Sequence, residues 1–366
     1  MRLTLRSALA TAAALAAMLA LATPAQPAVT RKKSMWGPIE VNGVSQFPVY
    51  RELGVGIYQA QLSWAATATR RPANPRDPSD PAYVWPGAID RAIQEGARNG
   101  ITVSLLVKQT PPWANGGREP RWAPTQPQDY ADFLEAASRR YPQVRHWMIW
   151  GEPTKSENFQ PLSPDGGRRL RGGALQGPRL YARMLDRAYV SLKRVSRRNL
   201  VIGGNTFTVG TVTPRRWIQA LRLPNRKPPR MDLYGHNPFS ARSPRLSQPP
   251  LGRGYADMSD LDQLTRWIDR NLRRSRRDRR LRLFLSEVSF PTDHQNFEFN
   301  FFVSQKTQAA WLRRSLRIAR RFKRIYTFGY LGLYDDALRP DGQQVERGLI
   351  ERSGRRKPGF AAFKRG

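Results

Sequence analysis

The sequence predicts an α/β protein in which eight parallel strands form a (β/α)8 TIM barrel, a single domain that follows an N-terminal signal peptide. Short apolar runs rich in β-branched and aromatic residues alternate along the chain with longer segments of helical period. The 366 residues are 40% hydrophobic and 25% charged, as in ordinary globular proteins, and the length is sufficient for one large core. Eight such β-α units favour a closed barrel.

The elements follow from local patterns. Each predicted strand is a short apolar run, and each predicted helix has apolar residues at intervals of three and four. The predicted strands are Met35–Val41, Val55–Gln61, Ile101–Val107, Val144–Trp150, Leu200–Gly204, Met231–His236, Leu281–Ser286 and Ile325–Leu331. The clearest helices are Gly87–Arg98, Gln128–Arg140, Pro178–Val195, Leu261–Arg273 and Ser304–Phe322.

Residues 1–28 have the organisation of a secretory signal peptide. Two arginines precede an apolar run from Ala8 to Ala22, and small residues follow that suit cleavage after Ala25 or Ala28. The alternative is an uncleaved anchor. No later stretch approaches the roughly 20 apolar residues of a membrane-spanning helix. We therefore expect an extracellular protein, with residues 29–366 as one catalytic-type domain.

The charge is strongly positive, with 62 Lys and Arg against 28 Asp and Glu, and 52 of the cations are arginine. This balance would ordinarily indicate nucleic acid or an anionic polymer. Abundant Ala, Gly and Pro beside the arginine instead suggest a high-GC coding bias and a solvated basic surface. No nucleic acid partner is predicted. The alternative is tethering to an anionic envelope polymer through the arginine-rich segment Arg273–Arg280.

Residue types also limit cofactor chemistry. The absence of cysteine excludes disulfides, thiolate metal sites and a cysteine nucleophile. His146, His236 and His294 lie far apart in sequence, so neither a metal nor another cofactor is predicted. Asp335 and Asp336 are adjacent and would point to opposite faces of a strand, so turn or salt-bridge roles are expected for them.

Aromatic side chains with a few polar groups follow most of the predicted strands, on the face where the carboxyl ends of barrel strands meet. Such a mixture suits a sugar, whose apolar face stacks on rings and whose hydroxyls form hydrogen bonds. A carbohydrate substrate is therefore predicted. The candidate contacts in these loops are Trp64, Trp113, Trp150, His236, Asn237 and Tyr334. Rim packing is the alternative for Trp113 and Trp150, and loop capping for His236.

Two glutamates follow predicted strands on this same face. Glu152 comes after the run that ends at Trp150, and Glu287 comes after the run that ends at Ser286. Two carboxyls about 5 Å apart across a barrel mouth can serve a retaining glycosidase, one as nucleophile and the other as acid and then base. Burial of the proton donor would raise its pKa, while hydrogen bonds would keep the nucleophile ionised.

These motifs resemble those of the large retaining (β/α)8 glycoside hydrolase clan. Trp150-Gly-Glu-Pro153 resembles the clan's Trp-Asn-Glu-Pro motif, and Leu285-Ser-Glu-Val-Ser-Phe290 resembles its seventh-strand motif. Val201–Asn205 resembles the clan's fifth strand, and Thr110–Trp113 resembles the loop after its third strand. Gly348–Phe363 resembles a C-terminal segment common in families 39 and 5. The resemblance implies that Glu152 is the acid/base and Glu287 the nucleophile.

The chain departs from the clan pattern at three places. Gly151 stands where the clan has an asparagine that binds the sugar's 2-hydroxyl, and Gln59 stands where it has an arginine. After the sixth strand, His236 is present without the tyrosine of the clan's His-x-Tyr pattern. Gln59 is thus a further candidate contact by analogy. These departures leave open a sugar-binding barrel without turnover.

The sequence therefore predicts a secreted O-glycosyl hydrolase that cleaves with retention. The alternatives are a catalytically silent carbohydrate-binding barrel and an exported protein that binds anionic polymers through its arginines.

Overall fold

The computed structural model describes residues 29–166, 168–275, 278–296, 298–299 and 301–366. Eight parallel strands close into one barrel, which confirms the predicted fold class. In chain order they are β1 Thr30–Trp36, β2 Val55–Ser63, β3 Thr102–Lys108, β4 His146–Ile149, β5 Leu200–Phe207, β6 Leu233–Asn237, β7 Arg282–Val288 and β8 Ile325–Leu331. Strand β1 pairs with β8 and with β2, so no barrel edge is left open. The predicted signal peptide lies outside the described residues.

Helices surround the barrel. They are α1 Phe47–Glu52, α2 Trp64–Thr67, α3 Gly87–Asn99, α4 Pro112–Asn115, α5 Pro127–Arg140, α6 Gln176–Val195, α7 Pro214–Ala220, α8 Leu261–Asn271, α9 Gln305–Arg321 and α10 Pro358–Arg365, with a 3-10 turn at Gly172–Leu175. The five predicted helices are confirmed within a few residues at each end. Helix α3 ends at Gly100, whose φ of 70° is the left-handed conformation that glycine adopts without strain.

The predicted bounds of the first strand are wrong. It spans Thr30–Trp36 rather than Met35–Val41. The residues after it form a small antiparallel hairpin, in which Glu40–Val41 pairs with Val44–Ser45. Asn42 and Gly43, both at positive φ, make the turn. The carboxyl end of β1 is therefore Trp36.

Two hydrophobic clusters pack against the strands, one inside the barrel and one between the strands and the helices. The barrel interior contains Ile57, Leu106, Met148, Ile202, Leu233 and Phe284, one from each of six consecutive strands. A larger cluster lies between the strands and the helices. Packed interior side chains make the barrel a rigid support, so functional groups lie at its carboxyl-end loops. Within the described part of the chain, no helix is long and apolar enough to cross a membrane.

Candidate active site

The two predicted carboxylates lie at the same face of the barrel. Glu152 follows the carboxyl end of β4, and Glu287 is the penultimate residue of β7. They interact, since the negative charge of Glu152 contributes to the pKa of Glu287. The sequence prediction that strand ends would bring this pair together thus agrees with the geometry.

Glu152 is largely buried and held from both sides. Its Oε1 accepts a hydrogen bond from Asn237 Nδ2 at 3.0 Å, and its Oε2 accepts one from Asn158 Nδ2 at 3.1 Å. Lys155 Nζ lies 3.2 Å from Oε2. All three partners are donors, so they hold the carboxylate in one orientation. Asn237 therefore belongs to the site, in contact with the carboxylate.

Glu287 has a different environment. Burial, and then the charge of Glu152, raise the pKa of Glu287 to about 8. The cations Lys108, Lys155 and Arg347 oppose this shift. No side chain or backbone group of the described residues donates a hydrogen bond to the Glu287 carboxylate. The sequence predicts hydrogen bonds on the nucleophile Glu287, whereas among the described residues they are donated to Glu152.

With its pKa raised to about 8, Glu287 keeps its proton at neutral pH. The charge of Glu152 contributes to this shift after burial, so the ionisation of Glu287 depends on its neighbour. One proton and one negative charge is the charge state that a retaining pair requires.

The loop that carries Glu152 has an unusual backbone. Trp150 and Glu152 have φ values of 64° and 43°, in the left-handed region that side chains other than glycine disfavour. Asn205 on β5 stabilises this turn, since its Nδ2 donates to the carbonyls of Ile149 at 3.2 Å and Trp150 at 2.7 Å. A β-carbon on the neighbouring Gly235 would collide with the Asn205 amide. Sequence reasoning had noted Asn205 only as part of a strand motif.

Gln59 acts on the strand that carries Glu287. It is buried on β2; its Nε2 donates to the Ser286 carbonyl, and its Oε1 accepts from Ser286 Oγ, both at 2.9 Å. Gln59 thus holds the residue before Glu287 and makes no described contact with the carboxylate. Trp36 also reaches Ser286, with Nε1 3.4 Å from Oγ. The sequence analysis missed Trp36 because the predicted first strand ran past it.

Lys108 is a second residue that the sequence analysis missed. It ends β3, and its Cδ lies 3.7 Å from the place that a β-carbon on Gly151 would take. The described residues offer its ammonium no hydrogen bond or ion pair, while its charge lowers the pKa of Glu287. The sequence does contain a signal for this residue. Lys108 ends a buried strand, and the next strand along the chain leads to Glu152.

The predicted tryptophan contacts are mostly core residues. Trp64 and Trp150 are fully buried, and Trp150 Nε1 donates to the Asn158 carbonyl at 2.8 Å. Trp113 is half-buried, with Nε1 bonded to the Ala68 carbonyl at 2.7 Å and the Arg71 guanidinium 4.6 Å from its ring centre. Packing, the alternative for Trp113 and Trp150, describes these rings better than sugar stacking.

His236 and Tyr334 also have structural contacts. His236 is buried, with Nδ1 2.8 Å from Thr206 Oγ1 and Nε2 2.9 Å from the Ala256 carbonyl. Burial lowers the pKa of His236 to about 4, so the ring is neutral and holds the loop. Tyr334 donates from Oη to Gln46 Oε1 at 2.8 Å.

The adjacent aspartates form the predicted salt bridges. Asp335 lies 2.7 Å from Lys357 Nζ, with both groups buried, and Asp336 pairs with Arg347. Neither aspartate is therefore an additional acid of the site. Among the residues that the structure describes, no three His, Asp or Glu side chains cluster closely enough to hold a metal ion.

A row of phenylalanines lies beside the glutamates. The ring of Phe207 is 5.5 Å from that of Phe239, which is 5.6 Å from that of Phe299. Lys155 lies 4.7 Å from the centre of Phe207, and Arg347 lies 5.6 Å from the centre of Phe299. Phe207 and Phe299 are partly buried and Phe239 is buried, so the row is an apolar cluster next to the two cations Lys155 and Arg347.

Comparison with solved structures identifies similar barrels. A family 39 glycoside hydrolase from Bacteroides cellulosilyticus WH2 has a TM-score of 0.65 at 16% identity, over 93% of this chain and 63% of that chain. A glucosidase from Croceicoccus marinus has a TM-score of 0.63 at 15% identity, over 93% of this chain and 66% of that chain. A β-xylosidase from Caulobacter crescentus CB15 has a TM-score of 0.59 at 16% identity, over 93% of this chain and 68% of that chain.

This chain spans less than two thirds of the length of the first two of these enzymes. Its sequence matches no family model and no curated protein. The structural similarity extends over nearly the whole described chain and includes several family 39 enzymes. The chain therefore has the (β/α)8 fold of the glycoside hydrolase clan that its motifs resemble.

Proposed function

We propose that this protein is a secreted glycoside hydrolase that cleaves O-glycosidic bonds with retention of configuration. One observation carries the proposal: Glu152 and Glu287 lie at the carboxyl ends of β4 and β7, and burial together with the charge of Glu152 raises the pKa of Glu287. Similar barrels belong to a glucosidase and to a β-xylosidase, which supports a glycan substrate.

The proposed reaction has two steps. Glu152 donates its proton to the leaving glycosidic oxygen while a Glu287 oxygen attacks the anomeric carbon, and a covalent glycosyl ester forms. Glu152 then takes a proton from water, whose oxygen attacks the anomeric carbon and releases Glu287. The enzyme returns to its initial state, and the configuration has been inverted twice.

The attack requires the pair's proton to be on Glu152. Burial raises the pKa of Glu287, so in the proposed reaction its proton passes to Glu152 when substrate binds. Lys108 and Arg347 favour the ionised nucleophile once that transfer occurs. At the two departures from the clan pattern, Lys108 lies next to Gly151, and Gln59 donates to the Ser286 carbonyl.

Product release from a panel of glycans and aryl glycosides, followed by mass spectrometry, tests the proposal. Wild type is compared with Glu152→Gln, Glu287→Gln and the control Glu157→Gln, which changes an exposed glutamate of the same loop. We expect hydrolysis by wild type and the control and its loss in both site variants. Undiminished turnover in Glu287→Gln would refute the proposal.

A catalytically silent carbohydrate-binding barrel is the second candidate. It is favoured by the Glu287 carboxylate, to which the described residues donate no hydrogen bond, and by its raised pKa. Saturable binding of a glycan by wild type, without product from any panel member, would select this candidate. Export is tested separately, by fractionating cells that express the full chain and sequencing the N-terminus of the product.

A further inference from the structure

An arginine-lined cavity of about 880 Å³ lies on the flank of the barrel, between α6 and α7. None of its lining residues is acidic, and six of them are arginines. We call the cavity lined by these six residues the arginine groove. These residues are Arg169, Arg179, Arg183, Arg216, Arg222 and Arg226. No residue described around Glu152 and Glu287 lines this cavity, so the arginine groove is a separate surface.

The positive charge of the groove is poorly balanced. Arg179 and Arg183 are exposed four positions apart on α6, an arrangement in which like charges repel. Neither makes an ion pair with the described residues. Further along the same helix the arginines are partnered, since Arg187 bonds to Gln128 and Arg194 pairs with Glu135. At the groove, by contrast, Arg179 and Arg183 lie one helical turn apart without an acidic partner among the described residues.

Two groove arginines are also partly withdrawn from water. Burial, and then the nearby Arg215, lower the pKa of Arg216, and burial lowers that of Arg222. Asp165 opposes the shift of Arg216. Holding several guanidinium groups together in such a site is unfavourable, and a bound anion would relieve it.

The groove is long enough for a chain of anionic groups. A second cavity of about 520 Å³ shares Arg183, Leu223 and Pro224 with it and continues along α6. At the other end, Arg169 belongs to the loop that follows β4, on the face that carries the glutamates. The arginine-lined surface therefore extends along α6 and includes one residue of the loop after β4. In the second cavity Asp186 is also present, paired with Arg230.

We propose that the arginine groove binds a linear polyanion with repeated phosphate, sulfate or carboxylate groups. The planar guanidinium fork matches such oxyanions in a bidentate manner. A polymer held along α6 would be retained beside the carboxylate face of the barrel. The proposal is independent of glycosidase activity, because it needs only binding.

The test is binding of three fluorescent probes at near-physiological salt: polyphosphate, dextran sulfate and polygalacturonate. The groove variant is Arg179→Gln/Arg183→Gln/Arg222→Gln. The matched control is Arg91→Gln/Arg313→Gln/Arg320→Gln, which removes the same charge from exposed positions of α3 and α9. Equal thermal stability of the two variants establishes that both are folded.

We expect the groove variant to bind at least one probe about tenfold more weakly, with a salt dependence reduced by about two counterions, while the control changes little. The probe that loses most affinity identifies the anionic group. Equal loss of affinity in both variants would show that only the overall charge matters and would overturn the proposal. Failure of wild type to bind any probe would also overturn it.

Discussion

Lys108 lies against Gly151, with its Cδ 3.7 Å from the place of a β-carbon on that glycine, and its charge acts on Glu287. An asparagine at position 151 would also approach Leu106, whose Cδ2 lies 3.1 Å from the same point. The glycine and the lysine therefore form a unit in which the aliphatic part of Lys108 lies at contact distance from the loop at position 151.

Replacing Lys108 tests this unit. In Lys108→Met the pKa of Glu287 should rise, because a cation that favours the carboxylate is lost. The acidic limb of kcat/KM against pH should move to higher pH, and activity near neutral pH should fall about tenfold or more. Lys108→Arg, which keeps the charge, should retain the wild-type limb. An unchanged profile in Lys108→Met would contradict the role.

Asn205 should matter for catalysis more than its stability effect indicates. Asn205→Ala removes both hydrogen bonds to the turn before Glu152, and we expect a loss of about 1–3 kcal/mol in the free energy of unfolding. We also expect kcat to fall about tenfold or more, because Glu152 is displaced.

Asn199→Ala is the matched control. Its Nδ2 bonds to the Leu192 carbonyl at 2.9 Å and Ser138 Oγ at 2.8 Å, behind the barrel. It should lose similar stability in denaturant titrations and keep its kcat. Equal kcat values in the two variants would refute a positioning role for Asn205.

The raised pKa of Glu287 predicts how stability depends on pH. The native protein keeps this proton up to about pH 8, whereas the unfolded chain releases it near the ordinary value of 4.5. The free energy of unfolding should therefore decrease as pH rises between these values. Glu287→Gln removes the effect, so its Tm should exceed that of wild type by more at pH 8 than at pH 5. A constant Tm difference, like that expected for Glu157→Gln, would contradict the shift.

The buried ion pair of Asp335 and Lys357 should be important for the C-terminal segment. Lys357 Nζ also bonds Thr292 Oγ1 at 3.0 Å, so it joins the segment before α10 to the loop after β7. Lys357→Met should cost about 3–5 kcal/mol in unfolding free energy, because it leaves a buried carboxylate without its partner. Asp335→Asn/Lys357→Met should recover part of that loss in denaturant titrations, and strictly additive costs would argue against the pair.

Much of the barrel could be predicted from sequence because strand and helix periods are local properties. The positions of Glu152 and Glu287 followed from the same rule, since strand ends in a barrel meet on one face. The first strand was misplaced because Ile39 and Val41 extended the apolar run into what is a hairpin.

The surroundings of the glutamates were less predictable, because they depend on how far side chains reach between strands. Trp150 and Phe207 are both aromatic residues near strand ends, yet one is fully buried and the other lies beside Lys155. The Asn205 bonds depend on a turn with positive φ that no local pattern indicated. For the arginine-rich segment, Arg276 and Arg277 lie outside the described residues, and tethering through it stays a prediction.

Rescue by azide tests the assigned roles of Glu152 and Glu287 most directly. In Glu287→Gly, azide can enter the space of the missing nucleophile and attack the anomeric carbon once, so an activated aryl glycoside should yield the inverted glycosyl azide. In Glu152→Ala the covalent ester still forms, and azide should release it as the retained glycosyl azide. The opposite stereochemistry would reverse the two roles. A wild-type product of inverted configuration would contradict the retaining mechanism itself.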